Sequence, residues 1–263
     1  MSRTDAEAVT VRNVVDLGAI VTDPQVSYAP EVDLATGKLV GFAVSLESSQ
    51  GSVASTDLIA ADDGVATRGA WLVGRACEDL GEWLASDFPH VRLNVHVSFS
   101  ELTTGETLDR IAEALGVTGV PASLLQITVE EQGLTAGGVV RRDVAGFARL
   151  GCRVAVGPFG TAPTRIAALE ASGVHTLELD PCLVERVTRD PGARAVVGAV
   201  IAMAHALGVA VVAPNVATRE QLAFLQKKRC DFARGPQVSP KLAAERVPRW
   251  YREWRGGKLR LSA

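Results

Sequence analysis

The short turn between the first two strands constrains this chain more than any other feature. Gln25–Ala29 reads as a strand, Glu31–Lys38 as a turn around Thr36 and Gly37, and Leu39–Glu47 as a second strand with alternating apolar positions. A parallel connection needs about a dozen residues or more, so these two strands must be antiparallel. Beyond them the pattern becomes a regular alternation of helix and strand. Leu72, Ala76, Leu80 and Trp83 mark one helical face, and Leu93, Val95 and Val97 one strand face. Helix–strand pairs follow at 104–116 with 124–129, 139–151 with 153–157, and 163–172 with 174–180. A long helix ending at Leu207 precedes Val209–Ala213, Thr218–Lys228 precedes Cys230–Gly235, and a last helix runs through Trp254. Eight strands with seven or eight helices in 263 residues predict an α/β fold, a modified TIM-like (β/α)8 barrel with an antiparallel first strand. Residues 1–23 read as an N-terminal arm or helix and 24–263 as one barrel with a basic, Trp-rich C-terminal helix.

Composition excludes several alternatives. With 47% hydrophobic and 22% charged residues, the chain carries too much apolar material for disorder. Cys77, Cys152, Cys182 and Cys230 are widely spaced in apolar runs, which suits reduced core thiols and predicts neither a disulfide nor a zinc framework. Nothing in the first residues reads as a signal peptide, and a cytoplasmic location is expected. Ala195–Thr218 lacks Asp, Glu, Lys and Arg, but Gly208 and Pro214 punctuate it, so it reads as a helix followed by a buried strand and no membrane span is expected. Charge is uneven. Residues 227–260 hold eleven basic and three acidic residues, net +8, leaving −11 for the remainder of a chain whose total is −3. This basic tail is a candidate contact surface, for nucleic acid or an acidic protein, or simply a solvated helix face.

Chemistry in such barrels sits at the C-terminal ends of the strands. Here those ends read Ala43–Ser45, Asn94 and His96, Val129, Gly157 and Pro158, Glu178 and Asp180, Pro214, and Arg234. The same segments carry a resemblance. Through Val32–Gly41, Leu93–Ser98, Leu124–Thr128, Phe159–Thr161, Leu177–Asp180, Val211–Gln221 and Cys230–Gly235, the chain resembles the EAL domain, a bacterial family that hydrolyses cyclic di-GMP. The resemblance covers about residues 24–242 and implies the antiparallel first strand that the short turn requires.

It also implies what the family uses for catalysis, and that pattern is largely replaced. The glutamate of the Glu-Ala-Leu motif falls at Ala43, a later glutamate at Val129, paired aspartates at Gly157 and Pro158, the catalytic lysine at Glu178, and further glutamates at Pro214 and Ala217. Asn94 is the one metal ligand the resemblance retains. Groups for the nucleotide fall at Ala29, Glu47 and Arg234. Glu130 and Glu131 follow Val129, but a one-residue slip along a strand points to the other face. The expectation is therefore a chain with no catalytic residue, no metal and no cofactor: a degenerate EAL barrel that is not an enzyme. It would act as a regulatory or protein-interaction module, as a homodimer or with another protein, with cyclic di-GMP binding disfavoured. Two alternatives stay open: a receptor for cyclic di-GMP or another nucleotide, and a phosphodiesterase with relocated ligands.

The residues singled out are Asn94, His96, Asp180 and Arg234 for an altered pocket. His96 lies two positions after Asn94 and shares its strand face, which makes it the best acid or base candidate. In the tail, Trp250 and Trp254 share a helical face beside Tyr251, with Arg249 close by; aromatic and arginine side chains are the usual anchors of protein interfaces, although the tryptophans can equally cap the barrel. The run Gly133–Gly138 reads as a flexible loop.

Overall fold

The computed structural model describes residues 20–21, 24–48, 51–52, 58–61, 64–86, 88–161, 168–169 and 173–255. Eight strands form the barrel: β1 (Gln25–Asp33), β2 (Leu39–Ser48), β3 (Arg92–Val97), β4 (Leu125–Val129), β5 (Arg153–Phe159), β6 (Thr176–Leu179), β7 (Ala210–Ala213) and β8 (Phe232–Ala233). Strands β2 to β8 pair in parallel around the ring. β1 is antiparallel to β2 and to β8, which closes it. The longest helices are α1 (Arg68–Ala85), α2 (Thr107–Thr118), α3 (Gly138–Arg149), α4 (Pro191–Ala206), α5 (Arg219–Lys227) and α6 (Val247–Arg255). A separate small sheet joins Ile20–Val21, Leu58–Ala61 and Gly64–Thr67.

Pleat alternation divides the barrel into two layers. Tyr28, Phe42, Leu93, Val95, Leu125 and Ile127 face outward and are buried under the helices. There Tyr28, Phe42, Trp83 and Phe88 form an aromatic cluster, and the Tyr28 hydroxyl donates to Asp79 of α1, which is also paired with Arg75 at 2.8 Å. The other face of the strands lines the barrel interior. Contacts that skip a strand prove this: Thr176 of β6 donates to Gln126 of β4 at 3.2 Å, passing β5, and the Arg92 guanidinium of β3 lies 5.2 Å from the Phe232 ring of β8.

Several expectations change in detail. β1 continues four residues beyond Ala29, so Glu31 belongs to a strand and not to the turn. The run expected to be a loop, Gly133–Gly138, holds the end of a short helix, Glu131–Thr135, and its last residue, Gly138, already opens α3. Cys182 is exposed, whereas Cys77, Cys152 and Cys230 are buried free thiols. The expected N-terminal arm lies outside the described residues except for Ile20–Val21, as does most of the helix expected at 163–172. The apolar stretch 195–218 divides between α4 and β7, and no helix among the described residues is long and apolar enough to cross a membrane.

Candidate functional site

Three charged side chains meet at the mouth. Arg234 follows β8 directly and reaches Glu31 of β1 with Nη1 at 3.2 Å from Oε2; its Nη2 donates to Glu178 of β6. All three are largely withdrawn from solvent, with side-chain exposures of 12%, 4% and 16% for Arg234, Glu31 and Glu178. The backbone is shaped around both acids. Both acids point inward by ordinary strand alternation, Glu31 two residues beyond Ala29 and Glu178 two beyond Thr176, and the register of the neighbouring strand shifts beside each of them. A Cβ on Gly157 would lie 2.6 Å from the Cβ of Glu178, and one on Gly235 2.4 Å from the backbone nitrogen of Val216. Glycine at these two places lets β5 approach Glu178 and lets the chain turn immediately after Arg234.

Electrostatics follow burial and proximity. Burial pushes the Glu31 carboxyl above the usual carboxylate range, and the attraction of Arg234 and Arg92 only partly opposes this. For Arg234 burial disfavours the charge, but Glu178 and Glu31 outweigh it and hold the guanidinium firmly protonated. The His96 ring is pushed below its ordinary value, first by burial and then by Arg68, with Glu178 pulling weakly the other way. It is therefore neutral near pH 7. Arg68, at the start of α1, is held beside it: one guanidinium nitrogen lies 3.5 Å from the His96 carbonyl and 3.5 Å from Glu101. Glu101 is a buried carboxylate accepting from Ser98 N and Ser98 Oγ, both at 2.8 Å, and from Gly69 N, so it ties the end of β3 to the start of α1.

The structure brings together only some of the residues singled out in sequence. Asn94 lies in the interior, where its Oδ1 accepts from the Thr128 hydroxyl at 2.6 Å. His96 is on the same strand face, nearer the mouth. Asp180 is not in contact with Arg234. It caps the helix Pro181–Arg186, accepting from Cys182 N at 2.7 Å and from Thr161 Oγ1 at 2.8 Å. Glu47 pairs with Lys241 at 2.7 Å on the surface. In the tail, Trp250 is buried against Phe42, Trp254 stacks on Trp250 with centroids 5.1 Å apart, Tyr251 packs on Phe88, and Arg249 is exposed. Sequence reading missed Glu31. Its signal was present: an acid two residues beyond Ala29, in step with the inward face of β1, opposite a strand-end arginine.

The pair of divalent ions implied by the resemblance does not fit these residues. Val129 is enclosed in the apolar layer, Gly157 has no room for a side chain, Asn94 Oδ1 is taken by Thr128, and the two mouth carboxylates are engaged by a guanidinium. Among the described residues no three His, Cys, Asp or Glu side chains converge as metal ligands.

Barrel closure through an antiparallel first strand, with polar groups gathered over the strand ends, defines the class, and sequence comparison gives the family. The EAL domain family model matches residues 23–241, and the chain belongs to that family. An uncharacterized protein of Mycobacterium tuberculosis is 27% identical over 216 residues, 79% of this chain and 35% of that protein. The cyclic di-GMP phosphodiesterase NbdA of Pseudomonas aeruginosa is 29% identical over 188 residues, 69% of this chain and 24% of NbdA. The chain thus spans about a third or less of the length of these relatives. In fold it matches the crystal structure of the EAL domain of Mycobacterium smegmatis DcpA, with a TM-score of 0.75 and 24% identity over 90% of this chain and 99% of that one.

These findings correct the expectation that the chain is not an enzyme. Its family and a relative named as a phosphodiesterase point to enzymatic function. The inference of inactivity equated loss of acids at particular strand ends with loss of chemistry from the mouth, yet the mouth holds two carboxylates, a guanidinium and a neutral imidazole.

Proposed function

We propose that this barrel works in cyclic di-GMP signalling by engaging the dinucleotide at its mouth, where Arg234 meets a phosphate and His96 serves as proton acceptor. The observation that carries this reading is the fixed guanidinium of Arg234 within the electrostatic reach of Glu178, which also acts on His96. A cyclic dinucleotide presents two phosphodiester anions, and arginine is suited to them because its planar fork donates two parallel hydrogen bonds. Binding exchanges one carboxylate contact of Arg234 for a phosphate oxygen, while Arg92 continues to offset Glu31. A neutral His96 can take a proton from an attacking water, a role closed to an imidazolium.

The test is calorimetric titration with cyclic di-GMP alongside chromatographic detection of the linear dinucleotide, on the wild type, Arg234→Ala and His96→Gln. Heat of binding lost with Arg234→Ala, and product formation lost with His96→Gln while binding persists, are expected. No heat and no product from the wild type would defeat the reading.

A regulatory role for the same barrel is favoured by a separate observation: α6 buries Trp250, half-buries Trp254 against it, and leaves Arg249, Arg252 and Arg255 exposed as a basic face. An acidic partner protein, in the cytoplasm, is the contact this face suits. Sedimentation of the wild type against a triple Arg→Glu variant at these positions tests both that contact and self-association. Identical profiles with and without partner would remove it.

A further inference from the structure

We infer that Arg234 is the resident cation of this mouth, compensating its two largely buried carboxylates, so that neither the fold nor the ligand affinity of this domain depends on magnesium or manganese.

The two largely buried acids of the mouth demand a cation. Glu31 and Glu178 are brought to the mouth from opposite sides of β7 and β8, with side chains only 4% and 16% exposed. Two carboxylates withdrawn from water need a compensating positive charge. Arg234 supplies it with two separate nitrogens, one to each acid, and a guanidinium cannot be chelated or deprotonated away under ordinary conditions. The supply of oxygen ligands points the same way. Magnesium takes near-octahedral oxygen coordination, and the described residues around this pair add no third carboxylate. Arg92, at the start of β3 within the barrel, adds a second and smaller attraction on Glu31 after that of Arg234. The local backbone suits this arrangement, since the absence of a side chain at Gly157 leaves room for Glu178 beside Arg234. Removing Arg234 therefore leaves two facing carboxylates that a divalent ion can bridge.

The affinity part of this inference rests on the ligand reading above; the stability part does not, and it is measured without nucleotide. Thermal unfolding of the wild type is followed in EDTA and in manganese chloride, beside Arg234→Gln and the double variant Glu31→Gln/Arg234→Gln. The wild-type midpoint is expected to be the same in both solutions. Arg234→Gln is expected to unfold several degrees lower in EDTA and to recover part of the loss in manganese, and the double variant to show no manganese response. Should Arg234→Gln fail to fold, Arg234→Lys, which keeps the charge without the fork, replaces it and is expected to be destabilised yet indifferent to manganese. A wild-type midpoint raised by manganese, a glutamine variant as stable as the wild type, or a lysine variant that requires manganese would each overturn the inference. Absence of cyclic di-GMP binding would sink only the ligand reading, because the unfolding results contain no nucleotide.

Discussion

Truncating Trp250 to alanine separates packing from partner binding in the C-terminal helix. The ring is only 8% exposed, sits 6.1 Å from Phe42 in an edge-on arrangement, and stacks on Trp254 at 5.1 Å. A tryptophan buries roughly 150–250 Å², which at about 25 cal/mol per Å² corresponds to about 4–6 kcal/mol. That is an upper bound, because the unfolded chain already hides part of this surface. Measured Trp→Ala losses in cores run about 3–5 kcal/mol, and ring pairing contributes about 0.5–1.5 kcal/mol per pair beyond area. We therefore expect Trp250→Ala to lose about 4 kcal/mol in urea unfolding, with the midpoint lowered and the slope unchanged. Trp254→Ala, at a half-buried position with one stacking partner, should lose about 2 kcal/mol. Domain stabilities are typically about 5–15 kcal/mol, so Trp250→Phe provides a milder variant if the alanine form is too unstable to measure. A surface anchor for a partner would leave stability intact when truncated. A loss below about 1 kcal/mol for Trp250→Ala would refute the packing argument and return Trp250 to the partner surface.

Two further predictions concern titration and reactivity. His96 has a depressed pKa in the fold, owing to burial and then to Arg68, so its contribution to stability is present above the unfolded value of about 6.5 and is lost as pH falls through the folded value. Between pH 7.5 and 5, set by that reference value, the wild type should lose more stability than His96→Gln, while His175, shifted the same way, acts equally on both; parallel pH profiles would refute this. Burial pushes the thiols of Cys77 and Cys230 up to about 12 and that of Cys152 to about 11, whereas Cys182 is exposed and raised chiefly by the charge of Asp180. Native labelling with a thiol-reactive disulfide should therefore modify Cys182 alone, slowly, and rapid reaction of a second cysteine would contradict the described burial.

The barrel was legible because two local rules act over short distances. The turn after β1 is too short for a crossover, and the β1–β2 register from Gln25↔Glu47 to Val32↔Leu39 is antiparallel as that rule requires. The 195–218 stretch resolved correctly into α4 and β7 because Gly208 breaks it where the period changes. The docking of α6 was not decidable in the same way. Its spacing places Trp250 and Trp254 on one face, but whether that face meets solvent depends on Phe42 and Phe88, which lie far away in sequence and are brought beneath it only by barrel closure.

The site was harder to read because its meaning lies in a triad drawn from β1, β6 and the residue after β8. Ending the first strand at Ala29, before Pro30, placed Glu31 in the turn, where an exposed acid carries no information. The strand in fact passes through Pro30, a residue with no N–H to give, and a register irregularity follows directly after Glu31. Taken singly, Glu178 reverses a charge and Arg234 adds one, and each alone suggests damage to a pocket. Taken together with Glu31 they compensate one another at hydrogen-bonding distance. Random erosion of a site has no reason to leave two inward carboxylates matched to one inward guanidinium, because a buried charge without its partner costs about 3–5 kcal/mol and would be felt as lost folding stability. The matched set is what a mouth looks like when its cation is carried by the chain itself.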